Sequence, residues 1–178
     1  SLDHVEEIIK NNPDVIVIVD EAYIDFGGET ALPLIDKYDN LVVVRTFSKS
    51  RSMAGLRIGY AISNPELIKA LNDVKYSYNS YTMNRPSLVL GVESIHDDAY
   101  FREKVGQIIA TRERFVKEIA ELGFTCLPSS ANFVFATHES IPAKEIFAAA
   151  KENNIYVRYF DKPRIDNYLR ISIGTDAE

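Results

Sequence analysis

Residues 15–20 read Val-Ile-Val-Ile-Val-Asp, and a second apolar run, Leu-Val-Val-Val-Arg, follows at 41–45. Neither run alternates with polar residues, which is typical of strands that are covered on both faces, as in a parallel sheet flanked by helices. Residues 57–62 have a similar character. The three runs therefore predict three strands of one α/β layer.

Helices are predicted around these strands. Residues 1–12 place apolar side chains at helical spacing, and Asn-Asn-Pro at 11–13 ends that pattern. Asn-Pro-Glu at 64–66 supplies an N-cap, a proline at the first helical position and an acid near the positive end of the helix dipole. Residues 76–86, rich in Tyr and Asn, are predicted to form a loop before another helix over 86–95.

The pattern changes after residue 96. A long amphipathic helix is predicted to end at Gly123. Short strands are then predicted around one helix, at 124–127, 132–137, 155–159 and 168–173, with the helix over 142–152. Apolar and polar residues alternate in the last strand, which indicates a sheet with one exposed face. The sequence thus predicts two domains, residues 1–96 and a small C-terminal α+β domain of residues 97–178.

The composition is that of a folded, water-soluble protein: 46% of the 178 residues are apolar, 26% are charged, and the net charge is −6. Without a basic surface, no nucleic acid partner is expected. The apolar runs are far shorter than the ~18 residues of a membrane span, so no membrane partner is expected either.

A single cysteine, Cys126, fits a reducing compartment and predicts a cytoplasmic protein. His4, His96 and His138 are too widely separated to predict a metal site.

The first candidate for chemistry is Asp-Glu-Ala-Tyr at 20–23. It stands at the C-terminal end of a predicted strand, where open α/β sheets present ligand-binding groups. Two alternatives stay open. Asp20 could merely cap the next turn. An apolar strand followed by Asp-Glu also resembles the magnesium-binding strand end of phosphate-loop ATPases, although the Gly-x-x-x-x-Gly-Lys-Ser/Thr loop those proteins need does not occur here.

The second candidate is Arg-Thr-Phe-Ser-Lys-Ser-Arg-Ser at 45–52, directly after the second strand. Taken alone, this segment could be a solvated polar loop. The C-terminal ends of neighbouring strands would lie on one rim of the sheet, however, so we expect Lys49 on the same rim as Asp20 and Tyr23.

The residue types on this rim suit one chemistry. A lysine amine in a dry site beside cations becomes a nucleophile toward an aldehyde, and three arginines lie near Lys49 in sequence: Arg45, Arg51 and Arg57. A carboxylate such as Asp20 can pair with a pyridine nitrogen and turn that ring into an electron sink. A phosphate dianion is bound well by hydroxyl groups and by a planar guanidinium. Thr46 and Ser48 supply two hydroxyls, and Arg57 supplies the guanidinium.

Three ordered motifs carry a family resemblance. Val-Asp-Glu-Ala-Tyr at 19–23, Arg-Thr-Phe-Ser-Lys at 45–49 and Ala-Gly-Leu-Arg-Ile-Gly-Tyr at 54–60 resemble the fold-type-I aminotransferases that use pyridoxal phosphate. Ser-Ser-Ala-Asn-Phe-Val-Phe at 129–135 extends the likeness over essentially the whole chain. The chain looks most like the branch of the family that acts on histidinol phosphate.

The resemblance implies an α/β fold in two parts. Residues 1–96 would be the latter part of the large pyridoxal-phosphate-binding domain, a mostly parallel sheet with flanking helices, and residues 97–178 the small domain. Members of the family are about twice as long, and their preceding half supplies part of the cofactor wall and some strands. We therefore expect a free sheet edge and a chain that is inactive by itself.

The resemblance also implies roles for individual residues. Lys49 would bond to the cofactor aldehyde as an imine and later move a proton between substrate and cofactor. Asp20 would pair with the ring nitrogen, and Tyr23 would hydrogen-bond the ring's phenolic oxygen. The cofactor phosphate would be bound by three side chains, those of Ser48, Arg57 and Thr46.

For the substrates, the resemblance implies that Arg158 and Arg170 meet the anionic end of each one. That end is the phosphate of histidinol phosphate in one half-reaction and a carboxylate of glutamate, formed from 2-oxoglutarate, in the other. A surface ion pair is the alternative for both arginines. The implied protein is a cytoplasmic homodimer of histidine biosynthesis. Two further alternatives are a related pyridoxal-phosphate-dependent decarboxylase of amino-acid phosphates and a folded fragment without catalysis.

Overall fold

The computed structural model describes all residues, 1–178, in two compact units, Ser1–Arg102 and Glu103–Glu178. The helices and strands of the first unit are α1 (Leu2–Asn11), β1 (Val17–Asp20), β2 (Leu41–Thr46), β3 (Gly59–Ile62), α2 (Pro65–Tyr78) and α3 (Arg85–His96). Helix α4 (Asp98–Ala120) begins in the first unit and ends in the second. The second unit continues with β4 (Phe124–Cys126), β5 (Phe133–His138), α5 (Ala143–Glu152), β6 (Arg158–Tyr159) and β7 (Leu169–Ser172).

The three predicted strands of the first unit are confirmed as one sheet in the order β1-β2-β3. Strands β1 and β2 are parallel, with Asp20 opposite Val44. Strand β3 runs antiparallel to β2, with Gly59 opposite Thr46. A parallel neighbour needs a long crossover, usually through a helix. The segment 47–58 holds only one short 3-10 turn, so the chain turns back beside β2 instead.

One cluster of buried apolar side chains lies on one face of this sheet: Ile9, Ala31, Leu34, Leu41 and Val43. Val42, on the other face of β2, is 5% exposed, so β2 is covered on both faces as predicted. Val17 and Val19 of β1 pack against the cluster, whereas Ile18, on the other face of the strand, is 64% exposed. The prediction that the first strand is covered on both faces is therefore wrong for this chain. β1 pairs only with β2, and this sheet edge is free, as the sequence predicted.

Asparagine caps fix the start of two helices. The side chain of Asn64 accepts a hydrogen bond from the Leu67 amide at 3.0 Å, which confirms the predicted start of α2. The side chain of Asn84 likewise accepts a hydrogen bond from the Ser87 amide at 2.9 Å, at the start of α3. The predicted loop over 76–86 is wrong at its beginning, because α2 continues to Tyr78. Tyr and Ser are tolerated in a last helical turn, so their presence did not mark the helix end.

The second unit is built on a four-stranded antiparallel sheet in the order β4-β5-β7-β6. Strand β7 alternates as predicted, with Leu169 buried and Arg170 exposed. Val134 and Ala136 of β5 are buried as well. The strand predicted over 155–159 is reduced to the two residues of β6. No helix of the chain is both long enough and apolar enough to cross a membrane.

The end of the long helix follows the prediction. α4 ends at Ala120, and Gly123 follows it with a φ of 88°, a left-handed conformation that favours glycine. An added Cβ at Gly123 would also lie 2.8 Å from Nε2 of His138, which a larger residue could not accept without a shift. The backbone conformation therefore favours glycine here, and a larger residue would also have to displace the His138 side chain.

A thiol-labelling prediction follows from the second sheet. Cys126 in β4 is partly buried, and this burial raises the pKa of its thiol. Because only the thiolate reacts with a disulfide reagent, we expect Cys126 to be labelled several-fold more slowly at pH 8 than the thiol of an unstructured peptide. Labelling of the protein in urea should proceed at the peptide rate. Equal rates for the native and the unfolded protein would contradict the prediction.

Candidate active site

Two polar segments meet at the C-terminal end of the parallel strand pair. The first, here called the aspartate turn, is residues 20–26, which begins with the last residue of β1 and ends in a 3-10 turn. The second, the lysine loop, is residues 47–58, which joins β2 to β3. The Glu21 amide donates to the Val44 carbonyl at 2.9 Å, so the aspartate turn stays hydrogen-bonded to β2 as it leaves the sheet. The sheet thus brings together two segments that are far apart in sequence.

Lys49 and Tyr23 make the contact between the two segments. Nζ of Lys49 lies 5.3 Å from the centroid of the Tyr23 ring, within the range of a cation–π interaction. Both residues are partly buried. An amine and a phenol, both predicted as site residues, are therefore neighbours.

Asp20 presents its carboxylate on the open face of β1. It is exposed, as is Ile18 on the same face of the strand. Oδ1 of Asp20 accepts a hydrogen bond from the Ala22 amide at 2.9 Å, which orients the side chain and shapes the turn. Asp20 thus caps the turn, and its carboxylate also stays accessible to a ligand.

The Thr46 hydroxyl organises the start of the lysine loop. It accepts a hydrogen bond from the Ser48 amide at 3.0 Å and lies 2.9 Å from the Ser48 hydroxyl, to which it can donate. It also lies 3.2 Å from the Ile58 carbonyl at the far end of the loop. Thr46 is therefore engaged in shaping the loop and orienting Ser48.

Arg57 stands at the other end of the loop in an unusual backbone conformation. Its φ is 56°, in the left-handed region that costs a residue with a side chain about 1–3 kcal/mol. The side chain is exposed, and Nη1 donates to the Ala54 carbonyl at 3.0 Å. The Phe47 amide donates to the Ile58 carbonyl at 3.1 Å, which closes the loop at its base. Ser48 directly follows Phe47 and Arg57 directly precedes Ile58, so both residues lie next to the hydrogen bond that closes the loop.

The buried carboxylate of Glu21 and the partly buried guanidinium of Arg45 form an ion pair at the aspartate turn. Oε2 of Glu21 accepts from Nη2 and Nε of Arg45 at 2.8 and 3.0 Å. Oε1 accepts from the Ala31 amide at 2.6 Å, and the Thr30 hydroxyl lies 2.9 Å from both carboxylate oxygens. Burial of Arg45 opposes its charged form, but the hydrogen bond and charge of Glu21 outweigh that effect and raise the pKa of the guanidinium.

The arginines that follow or precede Lys49 in sequence are each held by other groups. Arg45 is paired with Glu21, and Arg57 bonds to the loop backbone. The guanidinium of Arg51 bonds to the Ser94 carbonyl and lies 4.1 Å from the centroid of the Phe101 ring. The sequence suggested that these cations act on Lys49 directly, whereas the structure gives each a separate partner.

Helix α3 supports the lysine loop from behind. The Ser87 hydroxyl donates to the Leu56 carbonyl at 2.9 Å, and an added Cβ at Gly91 would lie 2.9 Å from Cδ1 of Ile58. Ser87, Gly91 and Ser94 recur at helical spacing on one face. The sequence analysis did not identify this face, although the recurrence of small residues could have indicated it.

Arg158 and Arg170 lie in the second unit and are brought together there. They are opposite each other in the register of β6 and β7, so both side chains leave the same face of the sheet. Both are exposed, and neither forms a salt bridge, so the surface ion pair considered as an alternative is absent. The Arg158 guanidinium lies 5.5 Å from the centroid of the Phe160 ring and the Arg170 guanidinium 5.3 Å from that of Phe133. Arginines on one face of a sheet suit a phosphate or carboxylate.

The structure shows no group of three or more His, Cys, Asp and Glu side chains that could hold a metal ion.

The whole chain matches a known family. Residues 1–178 match the family model described as aminotransferase class I and II. Histidinol-phosphate aminotransferase 2 of Dechloromonas aromatica is 52% identical over 177 residues, which are 99% of this chain and 50% of that protein. The chain spans about half the length of the curated relatives it matches.

Solved structures give the same likeness. The histidinol-phosphate aminotransferase of Clostridium acetobutylicum has a TM-score of 0.86 at 26% identity, over 96% of this chain and 53% of that one. The Sinorhizobium meliloti enzyme, solved in complex with pyridoxal-5'-phosphate, has a TM-score of 0.78 at 28% identity, over 91% and 45%. A decarboxylase of Sulfurospirillum multivorans has a TM-score of 0.82 at 28% identity, over 99% and 53%.

Proposed function

The chain belongs to the class I and II aminotransferases, and we propose that it is the portion of such an enzyme that carries the reactive lysine, with histidinol phosphate and 2-oxoglutarate as the substrate pair. The observation that carries the proposal is the contact of Lys49 with Tyr23 at the end of the parallel strands. The 52% identity to a histidinol-phosphate aminotransferase over nearly the whole chain supports the substrate.

The residues at the strand ends fit pyridoxal phosphate by their chemistry. The amine of Lys49 and the phenol of Tyr23 are in contact after the strands, and the exposed carboxylate of Asp20 ends β1. The hydroxyl of Ser48 and the guanidinium of Arg57 flank the base of one loop and match the donors that a phosphate dianion requires. When bound, pyridoxal phosphate supplies an electron sink for negative charge that develops on the substrate carbon.

Each side chain then has a defined task. Lys49 would hold the cofactor, and its amine would move a proton between the substrate carbon and the cofactor. The Asp20 carboxylate would pair with a protonated ring nitrogen, and Tyr23 would hydrogen-bond the ring's phenolic oxygen. Ser48 and Arg57 would bind the phosphate group. Thr46 assists by holding the Ser48 hydroxyl in place.

Arg158 and Arg170 account for substrate recognition in this proposal. Histidinol phosphate and glutamate both carry an anionic group away from the reacting amine, and a pair of neighbouring guanidiniums can bind either one. Their cross-strand register supports a shared task.

We also propose that the protein acts as a cytoplasmic homodimer. Helix α3 supports this because three of its apolar side chains are about half exposed: those of Leu88, Val89 and Val92. A patch of this kind is typical of a surface that another chain covers.

The substrate proposal is tested by amino transfer from histidinol phosphate to 2-oxoglutarate, in the protein extended at its N-terminus to the length of its relatives. Arg170→Ala should raise the KM for histidinol phosphate by roughly 10–100-fold, the worth of one charge-assisted hydrogen bond. Arg114→Ala, which removes an exposed arginine of the same unit, is the matched control and should leave KM unchanged. Equal KM values for both variants would contradict the assignment of Arg170.

A decarboxylase is the second candidate, because a decarboxylase is among the similar solved structures. It would release carbon dioxide from an amino-acid phosphate without any 2-oxo acid. Amino transfer that depends on 2-oxoglutarate, with no carbon dioxide released, would exclude this candidate.

A further inference from the structure

A second polar contact joins the aspartate turn to the lysine loop next to the Lys49–Tyr23 contact. The hydroxyl of Ser50 donates a hydrogen bond to Oδ2 of Asp25. Ser50 is 7% exposed although it lies in a polar loop, and its hydroxyl is directed at the turn. Neither residue is among the predicted site residues.

The two residues joined by this bond are close in sequence to Lys49 and Tyr23. Ser50 follows Lys49 directly, and Asp25 lies two residues after Tyr23. Tyr23 and Asp25 are held in one rigid turn, because the Phe26 amide donates to the Tyr23 carbonyl at 3.0 Å and the Phe26 side chain is fully buried. The turn is therefore a fixed support to which Ser50 is attached.

The lysine side of the bond is equally constrained. The Ser52 amide donates to the Lys49 carbonyl at 3.1 Å, and the Met53 amide donates to the Phe47 carbonyl at 3.0 Å. These bonds hold the backbone at Lys49 in a tight turn, but neither connects it to Tyr23. The Ser50 hydroxyl does link this turn to the segment that carries the Tyr23 ring, through its hydrogen bond to Asp25.

We propose that Asp25 and Ser50 are positioning residues, which hold the Lys49 amine over the Tyr23 ring by fixing the lysine loop to the aspartate turn. The inference rests on the proposed role of Lys49. A lysine side chain has four rotatable bonds, so the position of its amine depends on where its backbone is fixed. A displacement of about 1 Å at a reacting group can lower a rate about 100-fold.

The test uses Ser50→Ala, Asp25→Asn and the double variant, in the protein extended to the length of its relatives. Reductive trapping of pyridoxal phosphate on Lys49, followed by peptide mapping, should be slowed roughly 10–100-fold by either single change. The double variant should be no slower than the slower single variant, because both changes remove one bond. Ser140→Ala and Asp36→Asn remove an exposed hydroxyl and an exposed carboxylate elsewhere and should trap at the unmodified rate.

A second measurement needs no cofactor. Competitive acetylation compares Lys49 with Lys69, which is highly exposed. The ratio of Lys49 to Lys69 labelling should rise several-fold in Ser50→Ala and Asp25→Asn, because the amine is released from the Tyr23 ring. Thermal unfolding reports whether the fold is retained.

The outcomes separate the two proposals. Unchanged trapping and unchanged labelling in folded variants would overturn the positioning role, as would a fall in trapping that only follows the loss of folded protein. If the unmodified protein traps no cofactor at Lys49, the proposed function fails, and the labelling ratio alone decides whether Asp25 and Ser50 position the amine.

Discussion

Replacement of Lys49 by alanine is expected to leave the protein folded and to eliminate its covalent trapping of pyridoxal phosphate. The Lys49 side chain is partly exposed and contacts the Tyr23 ring, so its removal opens no cavity in the core. In the protein extended to the length of its relatives, amino transfer should fall by at least about 10²–10⁴-fold, because the group proposed to move the proton is lost. Borohydride reduction followed by mass mapping measures the first effect, and single-turnover absorbance measures the second.

Lys49→Arg is the sharper version of the same experiment. It keeps a cation near the Tyr23 ring, but a guanidinium does not condense with an aldehyde under these conditions. The same loss of trapping with the same melting temperature would separate the amine chemistry from the charge. Lys69→Ala removes a highly exposed lysine and should change neither measurement. An adduct that maps to another lysine in the unmodified protein would contradict the assignment.

Loss of the Glu21 carboxylate should have the largest effect on stability. In Glu21→Ala the guanidinium of Arg45 would remain in the protein without its ion-pair partner, and the Ala31 amide would lose its acceptor. Removing one partner of a fully buried ion pair costs about 3–5 kcal/mol of unfolding free energy, and because Arg45 is partly exposed we expect a loss of about 2–3 kcal/mol. Urea unfolding followed by far-ultraviolet circular dichroism measures the difference.

Glu29→Ala is the matched control, because Glu29 is an exposed acid a few residues along the same connection. Its effect should stay within about 0.5 kcal/mol. The double variant Glu21→Gln with Arg45→Met removes both charges and should recover part of the lost stability, since no unpaired buried charge remains. Equal losses for Glu21→Ala and Glu29→Ala would show that the buried pair contributes nothing.

The sequence was sufficient for elements whose signal is local. The β-branched runs predicted β1 and β2, and Asn-Pro at 64–65 predicted the start of α2. It could not predict how those elements are covered. An uninterrupted apolar run indicates burial on both faces, but Ile18 is exposed because nothing within this chain packs on that side of β1. The direction of β3 likewise depended on the path of residues 47–58 and not on any property of the strand itself.

The site residues show the same difference between what local sequence predicts and what depends on long-range packing. Lys49 and Tyr23 were expected on one rim because both follow strands, and the structure places them in contact. The partner of Arg45 could not be predicted, since a cation beside a lysine in sequence gives no sign that its side chain turns toward Glu21. The bond between Asp25 and Ser50 was missed for a similar reason: it joins two short polar residues whose proximity arises only from the register of β1 and β2.

Because the lysine loop is closed at its base, several groups of the proposed site lie in one continuous piece of the chain. The loop leaves β2 and enters β3 at directly paired positions, Thr46 and Gly59, and a hydrogen bond from Phe47 to Ile58 seals it. The amine, one hydroxyl and one guanidinium of the proposed site are thus encoded in a single uninterrupted stretch whose two ends are adjacent. Two side chains that bond to this stretch lie outside it, however: Asp25 accepts from Ser50, and Ser87 donates to the Leu56 carbonyl. A transplant of the loop onto another antiparallel strand pair would therefore have to carry partners for both bonds.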